Sequence, residues 1–290
     1  MSSQERDWAR EMGLDRLPRH IIDKRVADLL DLSGKKAICT GAGGDGLGQA
    51  IANRLAGSGA DVALIGRTLS KVEKRADEIR ERWGVKAYAI RADLSDWDDV
   101  HRSVEQSAEM LGGLDIMINN PIHMVGGPFD QHTKADIDQT VHGSLTMLMY
   151  GAHAALQHML PASSGKIINI SSAAGRTAQN YIVAYGACKA GVIGFTRNLA
   201  HEVAPRGVNV LGVAPGIMIN PDLEGHILHP RDEREKVARS SVFESLDTLV
   251  RLGRVSLPEE VANMVAYLAS EAADYMCGQT IDVSGGMYMN

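Results

Sequence analysis

The sequence predicts an α/β fold, a doubly wound parallel sheet of about seven strands with helices on both faces. Three features carry that expectation. Short apolar runs alternate with longer stretches of helical period from Lys36 to the C-terminus. The runs are apolar at nearly every position, as strands covered on both faces must be. The first run leads straight into a glycine-rich segment that opens a helix, the start of a strand–helix–strand unit.

The elements follow in order. Residues 1–33 are rich in Arg, Asp and Glu, with apolar positions at Trp8, Met12, Leu14, Leu17, Ile21, Ile22, Val26, Leu29 and Leu30. Short amphipathic helices interrupted at Pro18 are expected, an N-terminal helical extension that packs on its own domain or meets another subunit. Strands are expected at 37–40, 62–65, 87–92, 116–119, 166–170, 208–213 and 280–283. Helices are expected near 47–56, 69–82, 96–111, 134–159, 185–203 and 258–270. Pro258 followed by Glu259 and Glu260 marks a first helical turn, with acids at its positive end. Residues 217–257 break the alternation. They are charged and irregular, with a short helix expected near 231–240, and read as a substrate loop.

Composition excludes several classes. Hydrophobic residues make up 44%, enough for a substantial core, but aromatics are 4%, too few for base stacking along a nucleic acid, and the net charge is −6. The cysteines Cys39, Cys188 and Cys277 lack CxxC spacing and read as reduced, buried thiols with no metal site. With no uncharged apolar stretch long enough to span a bilayer and no apolar leader core, a cytoplasmic protein without a membrane partner is expected.

The glycine-rich segment is Thr40-Gly41-Ala42-Gly43-Gly44-Asp45-Gly46-Leu47-Gly48. Glycines let a backbone turn tightly against a pyrophosphate, and the helix beginning at Leu47 offers free N–H groups to it. Residues 34–290 therefore read as one Rossmann-type, dinucleotide-binding catalytic domain. The end of the second strand faces the adenosine ribose in such units. Arg67 and Thr68 stand there, a guanidinium and a hydroxyl suited to a 2′-phosphate. Asp45 would repel that phosphate. On balance NADP is the expected coenzyme, with NAD as the alternative.

Tyr185 and Lys189 lie four apart on an expected helix, hence on one face. An ammonium beside a phenol favours the phenolate and lowers its pKa from about 10. Such a tyrosine can protonate an alkoxide or deprotonate an alcohol.

These segments, with RADLSD at 91–96, Asn119-Asn120, INISSAAG at 168–175, YGACK at 185–189, VAPG at 213–216 and GQTIDVSGG at 278–286, resemble the short-chain dehydrogenase/reductase family over roughly residues 32–290. The resemblance implies an NAD(P)-dependent oxidoreductase acting on a small-molecule carbonyl or secondary alcohol. It implies that Ser172, thirteen residues before Tyr185, is the catalytic serine, with Ser171 its neighbour and competitor. Tyr185 would be the acid/base, with Tyr181 rejected by its spacing to Lys189. Lys189 would hold the nicotinamide ribose and tune Tyr185. Gly41, Gly46, Leu47 and Gly48 would cradle the pyrophosphate. Asp93 and Leu94 would contact adenine, Asn119 would lie beside the adenosine ribose, and Pro215 and Gly216 beside the nicotinamide. The resemblance also implies a homodimer or homotetramer built through residues 134–159 and 185–203.

The chain departs from the family in several places. Its glycine turn has one residue more than TGxxxGxG, and NNPI replaces NNAG. Alignment on Met159 puts Ser144, with His142 close by, where the family has a proton-relay asparagine. Leu211 and Asn220 replace Asn and Thr. These departures motivate a rival reading, a catalytically modified partner subunit of a hetero-oligomer. His142, His153 and His158 read as structural or solvated. Arg176 reads as a surface arginine or as an anion contact. His123, Met124, Met218, His226 and His229 are candidates for the pocket wall.

Overall fold

The structure is a computed structural model that describes residues 11–219, 224–225, 229, 236, 239–240, 243 and 246–289. Among these, seven strands form one sheet: β1 (Lys36–Thr40), β2 (Asp61–Gly66), β3 (Ala87–Arg91), β4 (Ile116–Asn119), β5 (Gly165–Ile170), β6 (Val208–Pro215) and β7 (Thr280–Val283). Every neighbouring pair is parallel, in the order β3-β2-β1-β4-β5-β6-β7. The strand order reverses direction at β1 and β4, which leaves a crevice at the carboxyl ends of the strands.

The connections are helical. In chain order they are α1 (Val26–Leu29), α2 (Leu47–Gly57), α3 (Leu69–Trp83), α4 (Trp97–Leu111), α5 (Lys134–Val141), α6 (Met147–Ala162), α7 (Val183–Val203) and α8 (Pro258–Ala269). Their ends follow capping chemistry. The Asp96 carboxylate accepts from the Asp99 N–H at 2.7 Å, Thr133 and Asp136 form a capping box, and Gly84 and Gly112 close α3 and α4 in the left-handed conformation.

Successive strand residues face opposite cores. Ala37, Cys39, Leu64, Ile118 and Ile168 pack with α2, α3 and α8, while Ile38, Ile65, Met117, Ile167 and Val210 pack with α4, α6 and α7. Each fully buried aliphatic side chain stabilises the fold by about 1.5–3 kcal/mol against exposure. Continuous apolar strands are the direct consequence of two covered faces.

The expected helix over 134–159 differs from expectation. A π turn, His142–Thr146, separates α5 from α6. Ser144 lies in that turn, its hydroxyl donating to the His123 carbonyl at 2.6 Å and accepting the His123 N–H at 3.1 Å. Gly143 sits so close to this segment that a Cβ there would be 2.3 Å from the His123 Cβ. The wider turn makes room for residues 121–123, which period analysis of one segment does not reveal.

Part of the N-terminal segment rests on its own chain. Lys24 Nζ meets Glu271 Oε2 at 2.6 Å, and Leu32 is buried beneath α2, its N–H bonded to Ser58 O. Met12, Ile22 and Val26 remain exposed. Trp8 lies outside the described residues, as do Asn220, His226 and most of the helix expected near 231–240. The ends of that loop are joined: Ile219 N–H bonds Ser256 O and Ser256 N–H bonds Ile217 O, each at 2.9 Å. Cys39 and Cys188 are buried as expected, but Cys277 is exposed, in the turn before β7. Among the described residues no helix is long and apolar enough to cross a membrane, and no group of three or more His, Cys, Asp or Glu is placed to hold a metal.

Candidate active site

Because all strands are parallel, the segments leaving β1, β2, β4, β5 and β6 gather on one edge and wall a cleft of about 1100 Å³. The glycine turn forms its floor. Gly41 has φ +68°, and a Cβ there would lie 2.7 Å from Asn120 O. A Cβ on Gly48 would lie 2.2 Å from Gly41 O. The turn thus folds onto itself and onto Asn120, leaving space only where side chains are absent. Gly46 precedes α2, and Leu47 and Gly48 begin it, so the N-terminus of that helix, where N–H groups lack intrahelical partners, stands in the cleft wall.

Arg67, Thr68 and Lys71 line the end of β2. Lys71 was not singled out from sequence, although a cation in the first turn of the helix after Arg67 was a usable signal. The expected repulsion by Asp45 does not arise in simple form, because its carboxylate is ion-paired with Arg75 of α3. Across the cleft, the Asp93 carboxylate accepts from the Ser95 N–H at 2.9 Å and its hydroxyl at 2.8 Å. Those bonds, with Arg67 nearby, hold Asp93 below the usual carboxylate range. Leu94 lines the same wall, and His142 does too, one of its ring nitrogens 3.0 Å from Ser95 O.

Asn119 is not in the wall. Its side chain is buried within the sheet and donates to Asn169 Oδ1 at 3.0 Å, while Asn120 lines the cleft. The alternation along β4 explains the swap, since adjacent residues face opposite sides. Pro215 and Gly216 line the wall at the end of β6, where a Cβ on Gly216 would lie 2.8 Å from the Ser284 backbone.

The three groups expected to react converge. Ser172 begins the turn after β5, its hydroxyl accepting the Ala174 N–H at 3.1 Å. That turn sits directly on α7, since a Cβ on Gly175 would lie 2.6 Å from the Lys189 carbonyl carbon. The close approach brings the Ser172 hydroxyl beside Tyr185, where it favours the phenolate. Lys189 Nζ lies 5.5 Å from the Tyr185 ring centre and donates to Ile170 O at 2.9 Å. Burial dominates both groups. It pushes the Tyr185 phenol up to about 12, against the lowering effect of Ser172, and pulls the Lys189 ammonium down to about 8. The expected lowering of Tyr185 by Lys189 does not appear: burial raises the phenol, and what opposes burial is Ser172.

The competitors are placed elsewhere. Ser171 points its hydroxyl at Lys189 O at 2.7 Å and is committed to holding α7. Tyr181 is half exposed at φ +64°, its carbonyl taking the Gly127 N–H. Arg176 donates to Thr280 O at 2.7 Å and approaches Asp282 at 3.4 Å, tying the serine turn to β7 instead of facing the cleft. Ser144 acts on the backbone of His123 and is fully buried. His153 pairs with His101 at 2.8 Å and His158 with Glu105 at 3.2 Å, both away from the cleft. His123 and Met218 line it.

The chemistry of the walls fits a nicotinamide dinucleotide. A glycine cradle that a Cβ would fill lies at a helix N-terminus, cations stand at one end, and a serine, phenol and ammonium at the other.

Comparison with known proteins agrees with this geometry. The short chain dehydrogenase family profile matches residues 35–229. A 3-oxoacyl-(acyl-carrier-protein) reductase FabG of Aquifex aeolicus is 34% identical over 259 residues, covering 89% of this chain and 99% of that protein. Nodulation protein G of Rhizobium meliloti is 36% identical over 261 residues, covering 90% and 100%. The crystal structure of a short-chain type dehydrogenase/reductase from Mycobacterium marinum superposes with a TM-score of 0.81 at 30% identity, covering 92% of this chain and 100% of that one.

Proposed function

The chain belongs to the short-chain dehydrogenase/reductase family, and from that premise we propose that it transfers hydride reversibly between NADP(H) and a carbonyl or secondary alcohol. The observation that carries the proposal is the meeting of Ser172, Tyr185 and Lys189 in the cleft walled by the glycine turn. A bound nicotinamide supplies or accepts the hydride.

The protein's own groups handle the oxygen and its proton. Ser172 Oγ hydrogen-bonds the substrate oxygen as charge develops on it. Tyr185, protonated at neutral pH and holding its proton more firmly through burial, gives that proton to the nascent alkoxide. Lys189, held by Ile170 O, is still mostly an ammonium at neutral pH and favours the phenolate left behind. In the oxidising direction the same phenol must first lose its proton, which its environment resists.

Gly41, Gly46, Leu47 and Gly48 are assigned to the pyrophosphate, Asp93 and Leu94 to adenine, and Pro215 and Gly216 to the nicotinamide. Asn120 takes the ribose-side position expected of Asn119, which supports it from beneath. Ser144 is assigned a positioning role, through His123. Arg67, Thr68 and Lys71 favour NADP over NAD, because two cations and a hydroxyl suit a 2′-phosphate. A homodimer or homotetramer through α5–α7 is the expected assembly. The reading of a catalytically modified partner subunit gains no support, since the reacting groups are all present and together.

The test is turnover by the purified chain with NADPH and with NADH over a panel of aldehydes, ketones and secondary alcohols. Coenzyme oxidation that disappears in Tyr185→Phe is expected. No turnover with either coenzyme, and no change in the variant, would overturn the proposal.

A further inference from the structure

The surplus residue of the glycine turn is an acid. Asp45 lies between Gly44 and Gly46, both in the cleft wall, yet its own side chain turns outward to Arg75. Arg75 is one helical turn beyond Lys71 on α3, so the two cations share a face. Its second guanidinium nitrogen is held by Glu78 Oε2 at 2.7 Å. The turn and the helix are packed together beneath this pair. A Cβ on Gly43 would lie 3.2 Å from Val72 Cγ2, and one on Gly66 would lie 2.8 Å from the same atom.

The charges at this end of the cleft therefore fall into two sets. Arg67 and Lys71 line the wall, and among the described residues neither side chain has an ion-pair partner. Arg75 is shared between two carboxylates, and Asp45 is the one attached to the phosphate-facing turn.

We infer that the Asp45–Arg75 ion pair is a specificity-determining element that sets how strongly the site prefers a 2′-phosphorylated coenzyme. The inference rests on the reading of the cleft as a nicotinamide dinucleotide site. While the pair is made, its two charges cancel toward the phosphate, and Arg67 and Lys71 alone read that group. Losing the acid releases a third cation toward the phosphate. Losing the base leaves an uncompensated carboxylate on the turn. The two halves of one contact thus act on the phosphorylated coenzyme with opposite signs, and act little on the coenzyme that lacks the phosphate.

Dissociation constants for NADPH and NADH, from titrations followed by coenzyme fluorescence, test this on the full chain. Asp45→Asn is expected to tighten NADPH by about threefold, and Arg75→Met to weaken it by about threefold to tenfold, with NADH changing less than about twofold in both. The double variant should return the NADPH/NADH ratio toward wild type. Thermal melts accompany each titration, and the Asp45→Asn result stands by itself if Arg75→Met does not fold. If both single variants weaken both coenzymes alike, the pair is only a clamp and the inference fails. It also fails if the ratio stays fixed in Asp45→Asn. Wild-type preference for NADH would instead sink the NADP reading, while the opposite movements of the NADPH constants would still uphold this one.

Discussion

At the catalytic end of the cleft Tyr185 and Lys189 are 7% and 2% exposed, whereas at the coenzyme-phosphate end the Asp45 and Arg75 side chains are 56% and 15% exposed. Ionisable groups serve both ends. At the catalytic end, desolvation moves the phenol to about 12 and the ammonium to about 8, so a proton can be held or passed at a chosen place. At the phosphate end, charges remain partly in water and select by sign and number, with modest energies that salt screens. In the proposed reaction catalysis draws on burial and coenzyme choice on charge nearer the solvent, so the two ends should answer differently to mutation, pH and ionic strength.

The largest expected effect is at the buried end. Tyr185→Phe should lower turnover by about a thousandfold, the scale of a lost general acid. Coenzyme dissociation constants should stay within about twofold. A parallel loss of binding, read by fluorescence titration, would break the separation between the two ends.

Lys189→Met should lower turnover by roughly a hundredfold. It should also stabilise the fold by about 1–3 kcal/mol in urea unfolding at neutral pH, because a buried ammonium is removed. The sign follows from linkage. The folded protein releases the Lys189 proton at about 8, before the unfolded chain does near 10.5, so this group adds stability as pH rises between those values and loses it as pH falls through 8. Tyr185 acts oppositely, its raised value of about 12 withdrawing stability between about 10 and 12. Melting curves of wild type and Lys189→Met across pH 7 to 10 should therefore converge.

Ser144→Ala leaves the His123 N–H and carbonyl without their hydroxyl partner. A loss of about 1–2 kcal/mol in unfolding free energy is expected, with turnover reduced less than stability implies for a catalytic group. A collapse of turnover with unchanged stability would assign Ser144 to the reaction itself.

The smallest effects belong to the half-exposed end. Arg67→Ser should weaken NADPH about tenfold at low salt, and less as ionic strength rises, with NADH nearly unchanged. The pH profiles sharpen the same contrast. Carbonyl reduction should stay level through neutrality, because the phenol remains protonated, while alcohol oxidation should climb steadily toward alkaline pH.

Much of this arrangement was legible before any coordinates. The runs at 116–119 and 280–283 became strands over those same residues, because an apolar segment of that length between turn signals has one economical placement in a two-faced sheet. Gly41 and Gly48 were legible as a tight turn because close backbone approach requires glycine. Lys71 and Asn120 were missed because their direction depends on where α3 begins and on which face of β4 each residue meets. The π turn at His142–Thr146 was hidden because its cause, the backbone of residues 121–123, is remote in sequence from Ser144.

By itself the chain's sequence determined the architecture, the glycine cradle and the Tyr185–Lys189 pair, since periodicity and fixed spacing on a helix are local properties. Tertiary structure alone decided that Ser171 is turned to the Lys189 carbonyl, that Arg75 neutralises Asp45, and that burial sets the phenol high. Each of these turns on distances between segments far apart along the chain, and on how much water those segments exclude, quantities that no local pattern encodes.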